Sequence, residues 1–191
     1  MIFNGDNYSA EWLDEAERRG LLNLRTTMDA LPALVENGNA ALFDRYGVLS
    51  KRELESRFEI YVEKYFNTVN IEGETAADVA RNMILPAAVR YLGELLETAE
   101  GADRMGLTAE GIVSTAREVN GLIDALVERL SVLVEQNAEL GGDEVLSKAE
   151  HMRVNIIPAM QGVREVVDRM EKVIPDDLWP IPTYRDMLFV K

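Results

Sequence analysis

Residues 108–140 read TAEGIVSTAREVNGLIDALVERLSVLVEQNAEL, the longest uninterrupted helical pattern of the chain. Its apolar positions recur every three or four residues: Ile112, Ala116, Val119, Ile123, Leu126, Leu130, Leu133 and Leu140. Asn137 alone interrupts the series, so the apolar side chains form one stripe that must be buried against other helices. Thr108 is a candidate N-cap, and Gly141-Gly142 predict the end of a rod roughly 48 Å long.

A second helical pattern begins at Ser50, because Ser50 and Glu53 have the spacing of a capping box. It continues to about Ile71, with an apolar stripe at Leu54, Phe58, Tyr61 and Tyr65. Gly73 predicts an interruption, after which Thr75 with Asp78 caps a further helix that ends near Gly101.

A last long pattern covers about residues 143–173, again with apolar residues three or four apart: Leu146, Ala149, Ile156, Met160, Val163, Val167, Met170 and Ile174. Short connections between long helices favour antiparallel neighbours. The sequence therefore predicts an all-α fold, with an antiparallel four-helix bundle over residues 50–174.

Two similar segments each place a proline inside a long helix, RNMILPA at residues 81–87 and RVNIIPA at residues 153–159. An internal proline removes a helix hydrogen bond and crowds the preceding turn, so each helix is expected to kink. Two interpretations remain open. The segments are either a duplicated hairpin or shared bend at a binding surface, or two kinked helices around a tapering core.

The two ends of the chain differ from its middle. Ile2-Phe3 resembles the end of a strand. Short helices are expected over residues 9–19, from Met28 and over residues 40–46. Ser9 is the candidate cap of the first, whose buried face is expected to contain Trp12, Leu13 and Ala16. Residues 1–49 thus form a strand remnant and short helices that pack on a larger body. Three prolines between Pro175 and Pro182 predict an extended tail over residues 175–191, whose aromatic side chains lie in a groove of this chain or of a partner.

Composition limits the classes of function. The 191 residues carry a formal net charge of −14, which argues against binding nucleic acid or a basic membrane-surface contact. No apolar stretch is long enough for a membrane span, and the start lacks a signal-peptide pattern. The absence of cysteine fits a reducing compartment, so a cytoplasmic protein is expected.

The single histidine, His151, does not suggest a catalytic site. A di-iron bundle needs Glu-x-x-His on two helices, but Lys148 occupies the glutamate position and there is no second histidine. His151 is therefore expected to be a surface or half-buried residue. Residues 101–106 have the glycine spacing of a P-loop, but Leu107 stands where the phosphate-binding lysine is needed, which predicts a loop between helices.

The carboxylates are numerous but scattered along helix faces, at Glu94, Glu97, Glu100, Glu128, Glu135 and Glu139. Such acidic faces are typical of solvated surfaces. We assign no catalytic, cofactor-binding or metal-binding residue to this chain.

Three separated motifs resemble the region that follows the catalytic core in type III glutamine synthetases. The first runs from FNGDNYS at residues 3–9 through EW at 11–12, RGL at 19–21 and TT at 26–27 to DALP at 29–32. The second comprises NIE at 70–72 and ILPA at 84–87, and the third is WPIPTY at 179–184 with Leu188-Phe189. Ile181 and Arg185 depart from the Phe and Gly that we expect in this family.

This resemblance implies a part of an ATP-dependent ligase that makes glutamine from glutamate and ammonia. The family's metal, nucleotide and glutamate sites belong to domains upstream, so ATP and Mg are implied for the parent enzyme and no cofactor for this chain. By the same resemblance, residues 1–49 would pack on an upstream catalytic domain that this chain lacks. Tyr8 lies near the position of a regulatory tyrosine in some type I relatives, but that motif is not matched.

Two hypotheses from different classes follow. In the first, the chain is the C-terminal helical domain of a type III glutamine synthetase, which is inactive alone and has a role in oligomer assembly. Its partners are then the upstream catalytic domain and sister subunits of a homo-oligomer. In the second, it is a free-standing helical-bundle interaction module that binds a partner helix or peptide. The family resemblance is thus the only feature of the sequence that indicates a part of an enzyme.

Overall fold

The computed structural model describes residues 4–189, and the regular elements in that range are all helical. The predicted all-α class is confirmed. The predicted strand end at Ile2-Phe3 lies outside the described residues. The chain divides into two compact units, Met1–Val62 and Glu63–Lys191.

The first unit contains three short helices, α1 (Ala10–Arg18), α2 (Thr27–Val35) and α3 (Asn37–Arg45), followed by the start of α4 (Lys51–Val79). Side-chain caps begin three of these helices, as the polar residues before them predict. Ser9 accepts a hydrogen bond from the amide of Trp12, and Ser50 and Glu53 form the expected capping box. One detail is wrong: Leu13, predicted to be buried, is 47% exposed.

The second unit contains the rest of α4 and the other long helices. Its further elements are a π-helical turn (Ala80–Ile84), α5 (Leu85–Arg104), α6 (Glu110–Glu139), α7 (Val145–His151), a second π-helical turn (Met152–Ile156), α8 (Ile157–Met170) and α9 (Tyr184–Leu188). The predicted last helix over 143–173 is therefore shorter at both ends. Within residues 4–189, no helix combines the length and apolarity that crossing a bilayer requires.

The predicted interruption at Gly73 is wrong, because α4 runs through it and Thr75 caps nothing. A Cβ atom at Gly73 would lie 2.8 Å from Asn137 Oδ1 and 2.9 Å from Ile156 Cγ2. Glycine at this position makes room for α6 and the second π-helical turn instead of ending a helix.

We expect Gly73→Ala to lower the free energy of unfolding by about 1–3 kcal/mol, because the buried Ile156 cannot move away from the new methyl group. Gly93→Ala is the matched control, since Gly93 is also inside a helix but has no heavy atom within 4 Å of its Cβ position. That change should raise stability by up to ~1 kcal/mol through helix propensity. Chemical denaturation measures both, and stabilisation by both changes would contradict the close approach.

A π-helical turn precedes the proline of each of the two similar motifs, Pro86 and Pro158. The amide of Leu85 donates to the Ala80 carbonyl, and that of Ile157 donates to the Met152 carbonyl, five residues back in both cases. The wider turn accommodates the proline ring that follows, Pro86 or Pro158, which would clash with a regular preceding turn. The two similar motifs therefore have the same local structure.

The apolar stripe of α6 forms much of the core, as predicted. Ala116, Val119, Leu126, Leu130 and Leu133 are buried together with Leu122, and α6 packs against α5 and α8.

The ends of α6 differ from the prediction, as do two apolar positions on other helices, α4 and α7. The N-cap is Ala109 and not Thr108, and Leu140 (φ +51°) ends α6 before the glycine pair. Tyr61 and Leu146, predicted to be buried, are 44% and 51% exposed.

Candidate binding groove

The C-terminal tail folds back onto its own unit. Trp179 is buried and belongs to the same core cluster as Met170 and Ile174. The tail is extended only in part, because α9 begins at Tyr184 with a capping box between Thr183 and Asp186. The predicted tail groove is therefore on this chain.

Polar contacts hold α9 against α8. The Arg164 Nη2 donates to the Tyr184 hydroxyl at 2.7 Å, and this hydroxyl donates to Asp168 Oδ1 at 3.2 Å. The amide of Tyr184 donates to Glu171 Oε1 at 2.9 Å. The hydrogen bond to Tyr184, with smaller effects of the nearby negative charges, raises the pKa of Arg164 above its usual value. The Arg164 guanidinium is therefore already engaged in the contact with the tail.

An apolar groove of about 710 Å³ lies between α4, the first π-helical turn, α8 and the tail. One wall contains Ile71, Ala76 and Val79, and the opposite wall contains Val163 and Val167. The tail closes the groove with Ile181, Pro182, Tyr184 and Met187. Such a volume and lining are typical of binding sites.

The charged residues that line the groove are mostly acidic. Glu72 is on the α4 wall, Asp168 is on α8 and Glu171 directly follows α8, and Arg164 is the cation among them. Arg164 Nε lies 3.6 Å from Asp168 Oδ2, so these two charges largely compensate each other. The charge that remains at the groove is negative.

Sequence reasoning named some of these residues as positions of a helical stripe, such as Val163 and Val167, but did not predict that they line a groove. The available signals were the aromatic tail and the interpretation of the proline motifs as a bend at a binding surface. Ala80 and Ile84 of the first π-helical turn line this groove, while Val154 and Asn155 of the second line a smaller cleft beside Arg129.

His151 is buried and has a structural role, so the expectation of a surface or half-buried position is wrong. Its Nε2 lies 2.9 Å from the Gln136 carbonyl and its Nδ1 lies 3.0 Å from Asn155 Nδ2. Because a carbonyl only accepts, Nε2 carries the proton and Nδ1 accepts from the amide. The imidazole thereby satisfies a carbonyl in the last turn of α6 that has no partner within its helix.

The other sequence-derived candidates stay apart from the groove. Among residues 4–189, no three His, Asp or Glu side chains are grouped closely enough to hold a metal ion. The predicted loop at residues 101–106 is helical up to Arg104, with the turn at Gly106 (φ +73°). Tyr8, in the first unit, is 98% exposed.

We expect the tail contact to weaken in acid. Hydrogen bonds from the Thr183 hydroxyl and then from its amide hold the pKa of Asp186 below its ordinary value of 3.8, and the charge of Arg185 adds to this effect. Since the pKa is lower in the folded than in the unfolded state, the carboxylate stabilises α9 above about pH 4, and this contribution is lost as the pH falls through the folded-state pKa. Hydrogen exchange at Tyr184–Leu188 should therefore speed up on acidification relative to the exchange expected for a free chain.

Asp186→Ala is the control for this pH effect. It should make the exchange fast already at neutral pH and remove most of its further response to acid. An unchanged acid response in Asp186→Ala would assign the effect to another group.

The described residues thus define an all-helical domain with an apolar, acid-lined groove. Comparisons with known proteins identify its family: the family described as the glutamine synthetase C-terminal domain matches residues 1–103. The chain is 30% identical over 201 residues to the type-3 glutamine synthetase of Dictyostelium discoideum, covering 100% of this chain and 27% of that protein. It is 33% identical over 196 residues to a glutamine synthetase of Bacteroides fragilis, covering 99% of this chain and 27% of that protein.

The chain therefore belongs to the glutamine synthetase C-terminal domain family. It spans only about a quarter (27%) of the length of these relatives. A glutamine synthetase of Butyrivibrio fibrisolvens matches in the same way, at 30% identity over 194 residues. The resemblance found in the sequence motifs is confirmed.

Proposed function

We propose that this chain acts as the C-terminal helical domain of a type III glutamine synthetase, where it supports assembly of the oligomer and does not catalyse on its own. The observation that carries the proposal is the match to relatives over essentially the whole chain, which corresponds to 27% of each relative. The larger remainder of those proteins would contain the catalytic domain. ATP and Mg would be used there, in a cytoplasmic enzyme.

The arrangement within this domain is part of the proposal. Residues 50–174 would form an antiparallel bundle, for which the packing of α6 against both α5 and α8 and the short connection between α5 and α6 are support. Residues 1–49 would pack on the catalytic domain. Exposed apolar side chains in this segment favour such a contact, for example Leu22 (75%) between α1 and α2 and Leu42 (51%) on α3.

A domain exchange with the Bacteroides fragilis relative tests the assembly role. We would compare the complete relative, a form without its matching region, and a form that carries this chain in place of that region. Light scattering should show a smaller particle for the shortened form and restoration of the full mass by this chain. A shortened form with unchanged mass would contradict the assembly role.

The isolated chain provides a second test. Supplied with glutamate, ammonia, ATP and Mg²⁺, it should form no glutamine, while the complete relative serves as the positive control. Measurable turnover by the chain alone would contradict the proposal that it does not catalyse.

A second candidate function is that of an interaction module that binds a partner helix or peptide. The apolar groove beside α9 favours it, since Ile71 (61% exposed) and Met187 (55% exposed) leave apolar surface open there. This function is compatible with a role in assembly, because the groove and the short helices belong to different units of the chain.

A further inference from the structure

The groove has a length and shape that could hold a helix. Along α4 and the first π-helical turn its lining extends from Ile71 to Ile84, roughly 20 Å at 1.5 Å per residue. Along α8 and the residue that follows it, the lining extends from Met160 to Glu171, roughly 16 Å. A trough of this length between two helices fits about three turns of a third helix, whose apolar residues at positions i, i+3 or i+4, and i+7 would face inward.

The charge at the groove selects among possible occupants. Glu72 on α4 and Glu171 directly after α8 place a carboxylate on each side of the groove, and Glu171 also accepts a hydrogen bond from the Tyr184 amide. Arg164 is paired with Asp168 and with the Tyr184 hydroxyl. The negative charge that remains at the groove disfavours an acidic helix. A helix with Lys or Arg beside its apolar stripe would instead be attracted.

We propose that this groove binds an amphipathic helix of about three turns with basic residues on both sides of its apolar stripe, supplied by a partner protein. This inference rests on the interaction-module function and specifies its partner. It is independent of the assembly role, which is read out separately by the mass of the oligomer.

Synthetic peptides serve as the probe. A fluorescein-labelled 16-residue peptide carries Leu at positions 3, 6, 10 and 13, Lys beside this stripe, and Ala or Gln elsewhere. One control peptide has Glu in place of each Lys. A second control peptide has the same composition as the basic peptide, but its Leu residues do not form an apolar stripe. Fluorescence anisotropy with the full chain should show saturable binding of the basic amphipathic peptide, weakened by added NaCl as expected for charge attraction.

Two variants locate the binding in the groove. Glu72→Lys reverses a charge at the groove, and Glu94→Lys makes the same change in net charge on an exposed face of α5 away from it. The first should weaken binding by about 3- to 10-fold, and the second should leave it nearly unchanged. Ala76→Trp fills the groove and should weaken binding at least ~10-fold, with circular dichroism confirming that the helices are intact.

The outcomes are distinct. Preference for the basic peptide, together with selective loss in Glu72→Lys, supports the proposal. Equal binding of the basic and acidic peptides would show that the groove binds peptides regardless of their charge, which would overturn the proposal of a basic partner. Absence of binding, or equal effects of Glu72→Lys and Glu94→Lys, would overturn the proposal, as would light scattering that shows a dimer disrupted by Ala76→Trp.

Discussion

Gly141→Ala is expected to lower the free energy of unfolding by about 2–5 kcal/mol. Two effects add at this position. Gly141 has a φ of +77°, which alanine adopts only at a cost of about 1–2 kcal/mol. A Cβ atom there would also lie 2.3 Å from the His151 Cβ and 3.0 Å from the Ser147 carbonyl oxygen, so α7 must shift.

Gly106→Ala separates these two effects. Gly106 has nearly the same φ, +73°, but no heavy atom lies within 4 Å of its Cβ position. Its replacement should therefore cost only about 1–2 kcal/mol. Urea denaturation of both variants measures the difference, and equal losses would mean that the contact between Gly141 and His151 is not tight.

Leu126→Ala is the second change with a large expected effect, a loss of about 2–5 kcal/mol. Leu126 is 0% exposed in the middle of the α6 stripe, within the cluster that also contains Leu122 and Leu130. Truncation removes three carbon atoms from contact and leaves a cavity that the neighbouring helices fill only in part.

The adjacent Val127 is 49% exposed and provides the control. Val127→Ala should change stability by no more than about 0.5 kcal/mol, because a half-exposed side chain leaves no cavity when it is shortened. A loss below about 1 kcal/mol for Leu126→Ala in thermal or urea denaturation would show that the stripe is not a core.

The features that sequence reasoning predicted correctly depend on neighbouring residues. The stripe of α6 follows from apolar spacing along one helix, and the caps at Ser9 and Ser50 follow from a side chain that reaches an amide three residues ahead. The family resemblance depends on contiguous motifs for the same reason. These features required no knowledge of the packing between helices.

The mispredicted features depend on residues that are distant in sequence. A glycine can end a helix or can make room for a neighbouring element, and only the folded structure shows which. At Gly73 the neighbouring side chains are Asn137 and Ile156, which are distant in sequence. Helix α9 is an exception in part. Its capping box, Thr183 with Asp186, is a local signal that the interpretation of the tail as extended missed, whereas the contacts from Tyr184 to Arg164 and Glu171 are distant in sequence.

The sequence by itself determined the helical class, the buried stripe of α6 and the family, because periodicity, caps and motifs are encoded in short stretches of residues. Only the tertiary structure decided the groove. Its walls come from α4, α8 and the tail, and its negative charge arises because Arg164 is paired with Asp168 while Glu72 and Glu171 also line the groove. Apolar lining and net charge at a surface are properties of residues that folding brings together, so no single stretch of the chain contains them.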